Sequence, residues 1–171
     1  MRKIGFDGGN LICELGPSAD VELFFECLHI YAEAIEPTMD WGLLTDRLYR
    51  RYLRLDELDK ASALMERARN LFGFHPSASS VDWGERSVAS DEQSWLNPNQ
   101  PTLADVFNKY FESFSRCVSS ARSSYERFKS YPGYQYQPVR LVISDLAGYA
   151  RDKKKPLADY DALTGKPFWL Q

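Results

Sequence analysis

The chain has 171 residues, 44% of them apolar and 26% charged, with a formal net charge of −3; this is enough apolar material for one domain whose core needs no staple. The slight acidic excess argues against a general nucleic-acid binder, whose footprint would be basic, and no apolar run reaches the length that spans a bilayer, so no membrane contact is expected. Cys13, Cys27 and Cys117 form no C-x-x-C pair and point to neither a disulfide framework nor a structural zinc site, and without an apolar leader after Arg2 and Lys3 the expected compartment is the cytoplasm.

The first element in chain order is a hairpin. Arg2 to Phe6 and Asn10 to Leu15 flank Asp7-Gly8-Gly9, whose Asp-Gly and Gly-Gly steps supply the positive-φ positions a tight turn demands. Gly16-Pro17-Ser18 breaks the second strand, and Ser18 or Asp20 is placed to cap a helix over about 19–35. That helix stops before Pro37, because a residue ahead of proline is pushed out of the α region. At roughly 100° per residue, Val21, Phe24, Phe25, Leu28, Tyr31, Ala32 and Ile35 share one face, while Glu22, Glu26, His29, Glu33 and Glu36 share the other.

This helix lies inside a stretch from Ile4 to Asp46 that holds nine acidic residues and no lysine or arginine, so the remainder of the chain is net basic. A carboxylate stripe about 20 Å long, at roughly 1.5 Å rise per residue, repels itself unless water or a cation screens it. Glu22, Glu26, His29, Glu33 and Glu36 are therefore a candidate surface for a basic partner; an ordinary solvated face is the alternative.

Leu43 to Leu53 mixes Leu, Tyr and Arg in a way that suits a strand whose arginine stems cover apolar surface, with a helix as the other option. Leu58, Ala61, Met65, Ala68 and Phe72 recur at helical spacing from Asp56 until Gly73 and Pro76 end the pattern. Residues 74–100 have no sustained period and read as a long loop. Its tryptophans, Trp83 and Trp95, are candidate anchors for a partner, or else pins that hold the loop to the core. Pro101-Thr102 opens the longest helix, near 102–130, with one apolar stripe from Leu103 through Phe114 to Phe128. A buried strand over Val139–Ile143, a short helix capped by Ser144 or Asp145, a solvated Lys153-Lys154-Lys155 run and a short helix from Leu157 to Leu163 complete the chain, before its apolar end at Pro167 to Leu170.

The expected fold is α+β, a single domain over 1–171. A small, mostly antiparallel sheet is built from the hairpin, the 43–53 segment and the 139–143 strand, and is covered by helices at 19–35, 56–72 and 102–130.

Chemistry-bearing motifs are sparse. Glu26-Cys27-Leu28-His29 has the E-x-x-H spacing of a carboxylate-bridged metal bundle, but there is no second copy, and the only other histidine, His75, precedes Pro76. The chain has no GxxxxGK[ST] cradle, no GxSxG elbow and no HExxH. Ile4 to Asn10 resembles the first phosphate loop of sugar-kinase and actin-like ATPases. That resemblance implies a small phosphate- or nucleotide-binding enzyme using Asp7, Gly8 and Gly9, with Asn10 standing where those loops carry a hydroxyl. The expectation is accordingly no catalytic residue, no metal and no cofactor.

RRYLRLDELDKASALMERARNLF at 50–72 and PLADYDALTGKPFWL at 156–170 resemble segments of bacterial immunity proteins of contact-dependent growth inhibition and polymorphic toxin systems. The resemblance implies a role and no particular residue: binding the C-terminal toxin domain of a cognate effector and blocking it. Such toxins are often nucleases with basic grooves, so an acidic stripe is the complementary surface. An acidic adaptor for another basic protein would carry the same charge pattern.

Overall fold

The computed structural model describes residues 2–131, 140–146 and 165–170. Strand β1 (Lys3–Asp7) turns into β2 (Ile12–Pro17) as expected. Gly8 N donates to the Leu11 carbonyl at 2.9 Å and Gly9, at φ 93°, donates to Asp7 Oδ1 at 2.8 Å. β3 (Tyr52–Arg54) and β4 (Arg140–Asp145) complete an antiparallel sheet in the order β2-β1-β4-β3. β1 is thus an inner strand, with Ile4 to Asp7 all buried. Its Phe6 stands opposite Cys13 on one side and Ile143 on the other.

The α+β class and the antiparallel sheet with an N-terminal hairpin agree with the reading of the sequence. The helices are α1 (Ser18–Leu28), α2 (Leu58–Phe72), the short α3 (Ser77–Ser80) and α4 (Leu103–Val106), and the long α5 (Asn108–Phe128). α2 buries the predicted Leu58, Ala61, Met65, Ala68 and Phe72. Thr102 and Asp105 form a reciprocal cap, with Thr102 N to Asp105 Oδ2 at 2.8 Å, and α4 passes through an irregular Phe107 into α5. α5 lies against β1, β2 and β4, where Phe114 meets Phe6 edge-on at 5.7 Å and the Cys117 thiol points at the Phe6 carbonyl, 3.3 Å away. Phe24 of α1 sits among Phe25, Phe72, Phe107, Tyr110 and Phe111, all within 6.2 Å between ring centroids.

Three local readings are corrected. Residues 43–53 are mostly helical: Leu43–Leu48 form a wide π-helical turn, and only Tyr52–Arg54 pair as a strand. The buried set Leu43, Leu44 and Leu48 has the spacing of a wide turn rather than strand alternation, and the buried Trp41 starts it by accepting from Leu44 N and Thr45 N. Neither Ser18 nor Asp20 caps α1. Pro17 occupies that position, and the buried Asp20 instead accepts from Val88 N at 3.1 Å, latching the long loop. Past Leu28 the helix widens into a π turn over His29–Glu33, which advances fewer degrees per residue. Ile35 therefore leaves the apolar face and is 49% exposed. Ser144 and Asp145 belong to β4. The helix expected after them, the Lys153–Lys155 run and the helix from Leu157 to Leu163 lie outside the described residues. Trp169, at the apolar end, is buried against Tyr49.

Candidate functional site: the groove beside α1

Folding neutralises most of the acidic stretch. Glu14 pairs with Lys3 at 3.0 Å, Asp40 with Lys60 at 2.6 Å, Asp46 with Arg50 at 2.7 Å, and Glu36 with the fork of Arg67. Within the predicted stripe, Glu33 is taken by His29, whose Nδ1 lies 2.7 Å from its carboxylate. Asp7 and Asp20 are spent on backbone N–H groups. Of the carboxylates between Ile4 and Asp46, Glu22 and Glu26 alone have no ion pair or hydrogen bond among the described residues.

These two residues are also what remains of the polar face of α1. From Asp20 to Leu28 every other residue is buried, so the helix is sunk in the core and shows solvent a narrow strip instead of half its circumference. That strip forms one wall of a groove of about 470 Å³. Its lining includes Glu22, Glu26, Ile30 and Glu33 on one side, and Thr45, Tyr49 and Arg50 on the other. Each wall includes a π turn, His29–Glu33 on one and Leu43–Leu48 on the other.

Tyr49 is the rigid element of the far wall. Its ring packs on Phe25 at 4.9 Å and receives the edge of Trp169 at 5.6 Å, and its carbonyl accepts from Trp169 Nε1 at 2.8 Å. Burial, reinforced by the nearby charges of Glu22 and Glu26, pushes the Tyr49 hydroxyl pKa up. Arg50 lies 6.0 Å from the same ring and is held by Asp46. Ile30 is 54% exposed at the mouth. The helical wheel carried that signal, since at roughly 100° per residue Ile30 falls about 40° from Glu26, at the edge of the polar side; Tyr49 carried none, because it belonged to a segment read as strand.

The structure thus brings together Glu22, Glu26, His29 and Glu33 on one groove, and sends Glu36 to α2, where Arg67 holds its carboxyl below the ordinary range. Trp83 and Trp95 lie elsewhere, on the loop. Trp83 Nε1 donates to the Ser77 carbonyl at 2.8 Å and its ring meets Phe107; Trp95 Nε1 donates to the Val88 carbonyl at 3.1 Å. Each indole is half-buried against the core and pins its own loop.

At the Asp7-Gly8-Gly9 turn, Asp7 is buried and accepts from its own turn, and a Cβ on Gly8 would stand 2.2 Å from the Cys117 carbonyl oxygen. The turn is packed onto α5, which leaves no cradle beside Gly8 for a phosphate. Among the described residues there is no group of three His, Cys, Asp or Glu side chains able to hold a metal, and no helix long and apolar enough to cross a membrane. No protein-family model, curated protein or solved structure matches this chain.

Proposed function

We propose that this chain is an immunity protein. It binds the basic C-terminal toxin domain of a contact-dependent growth inhibition system, a nuclease, and neutralises it one to one without performing a reaction. The observation that carries this reading is the uncompensated pair Glu22 and Glu26 in the groove beside α1. Among the described residues the other acids up to Asp46 have partners, and these two stand unpaired at a partly apolar groove. Uncompensated charge set against apolar surface suits recognition of a cationic protein: the charge accelerates encounter and selects the partner, while the apolar contact supplies residence time. The resemblance of residues 50–72 and 156–170 to immunity proteins points the same way.

The test is co-expression with the toxin domain encoded beside this gene, scored by growth and by isolation of a one-to-one complex whose association weakens as salt is raised. Growth rescue together with a salt-sensitive complex is the expected result. Toxicity that persists while the protein is soluble and abundant overturns the proposal.

A further inference from the structure

We infer that the groove between α1 and the Leu43–Leu48 turn is a socket for an arginine side chain of the protein partner, with an aliphatic or aromatic partner residue beside it covering Ile30. The inference rests on the proposal that the partner is a basic protein, and it specifies how that protein is gripped.

Glu22 and Glu26 are four residues apart on a regular helix, so their Cβ atoms are separated by about 5–6 Å and their carboxylates flank the groove as a pair. With Tyr49 lining the opposite wall, the socket is built from two elements. Among the described residues lining the groove, the donors are engaged, the His29 ring with Glu33 and Arg50 with Asp46 and the Gly165 carbonyl. This lining suits a multivalent cationic donor.

A guanidinium suits that lining better than an ammonium. Its five N–H groups lie in one plane and can bridge two carboxylates, and it sheds its weaker hydration more readily on entering a half-closed, partly apolar groove. A lysine would keep its water and contact one carboxylate as a point charge. The socket walls are pre-set: Glu22 and Glu26 ride on a helix whose other residues from Asp20 to Leu28 are buried, and Tyr49 is clamped by Phe25 and Trp169. A volume of about 470 Å³ exceeds one arginine side chain, and the exposed Ile30 gives the remainder an apolar lip. An arginine next to an apolar residue is also the kind of anchor that dominates protein interfaces.

The full chain is titrated with three capped peptides that alternate leucine with arginine, lysine or citrulline, while backbone amide resonances are followed. The arginine peptide should shift amides of residues 22–33 and 45–50 and bind at least about fivefold more tightly than the lysine peptide, and the uncharged citrulline peptide should not bind. The double variant Glu22→Gln plus Glu26→Gln, whose spectrum reports whether it folds, should weaken the arginine peptide about tenfold or more. Equal affinity for arginine and lysine, binding of citrulline, or shifts centred elsewhere overturns the socket. Should the double variant lose its folded spectrum, Glu26→Gln alone with Tyr49→Phe gives the same reading. The two proposals fail separately. Arginine-selective binding here without toxin neutralisation retains the socket and rejects the toxin; neutralisation unchanged by the double variant does the reverse.

Discussion

Glu36 receives the guanidinium of Arg67 on both carboxylate oxygens, with Nε 3.1 and 3.0 Å away and Nη2 closing the fork, so the end of the acidic segment is tied to α2. The hydrogen bonds, aided by the positive charge, lower the Glu36 pKa from its ordinary 4.5. A carboxyl with a lower pKa folded than unfolded adds stability above its unfolded value and loses it as the pH falls through the folded one. In Arg67→Met, the Glu36 carboxyl should titrate at higher pH than in the parent, and the variant's small deficit at neutral pH should vanish in acid. Carboxyl carbon NMR and urea midpoints across pH check this; an unmoved Glu36 titration would refute it.

The distribution of charge between paired and unpaired acids predicts a contrast in binding. Reversal of Glu22 and Glu26 to Lys should slow association with the toxin domain by about tenfold or more at low salt and flatten its salt dependence. Glu36→Gln, at a residue the fold already neutralises, should leave the rate within about twofold. Stopped-flow association at two ionic strengths separates the cases, and equal effects would move the interface away from the groove.

Phe24 stands at the hub of the aromatic core, and truncation there should cost about 3–5 kcal/mol as Phe24→Ala, with Phe24→Leu recovering part of the loss. The urea midpoint is the readout. A loss below about 1 kcal/mol, the range of ordinary surface changes, would mean that the cluster repacks around the void.

Two glycines separate close packing from backbone strain. Gly84 has φ 51° and nothing within 4 Å of a would-be Cβ, so Gly84→Ala should cost about 1–2 kcal/mol. Gly8→Ala drives a methyl into the Cys117 carbonyl of a rigid helix and should cost about 3 kcal/mol or more, because the hairpin must lift from α5. Denaturant midpoints rank them, and the opposite order would show that the turn can move away cheaply.

Burial pushes the thiols of Cys27 and Cys117 up to about 12, so neither is a thiolate at neutral pH. Both should resist iodoacetamide in the native protein at pH 8 and react once urea unfolds it. Mass spectrometry counts the adducts; native labelling of Cys27 would show that α1 opens locally.

What the sequence made legible follows the range of the interactions. α2 and α5 repeat apolar residues at one period, and the hairpin advertises itself with Asp7-Gly8-Gly9, so local pattern suffices for both. The Leu43–Leu48 turn did not show itself, since its buried leucines follow a wide-turn spacing and arginines interrupt them. The acidic face of α1 was visible as a face. Which of its members stay unpaired was not, because that depends on Arg67 arriving from α2, and on a π turn that rotates Ile35 outward and Glu36 toward α2. The two tryptophans were equally readable as anchors or pins; the acceptors of their indole N–H groups, Ser77 and Val88, lie within the same loop, and no helical or strand period marks them.

The strand order has a consequence for synthesis. β1 leaves the ribosome well before β4, yet its inner edge pairs with β4, and β3 can join the sheet only through that same late strand. Until residue 145 has been made, the hairpin therefore presents an open edge, and for the first part of that interval Glu36 and Asp40 lack Arg67 and Lys60, which follow them in the chain. Residues 4–46, which include the hairpin, hold nine acids and no lysine or arginine, and mutual repulsion between such segments guards the exposed edge against pairing with a neighbour on the same polysome. The acidity of the first segment thus protects the chain before its fold exists, and the groove beside α1 keeps what remains of that charge once folding has consumed the rest.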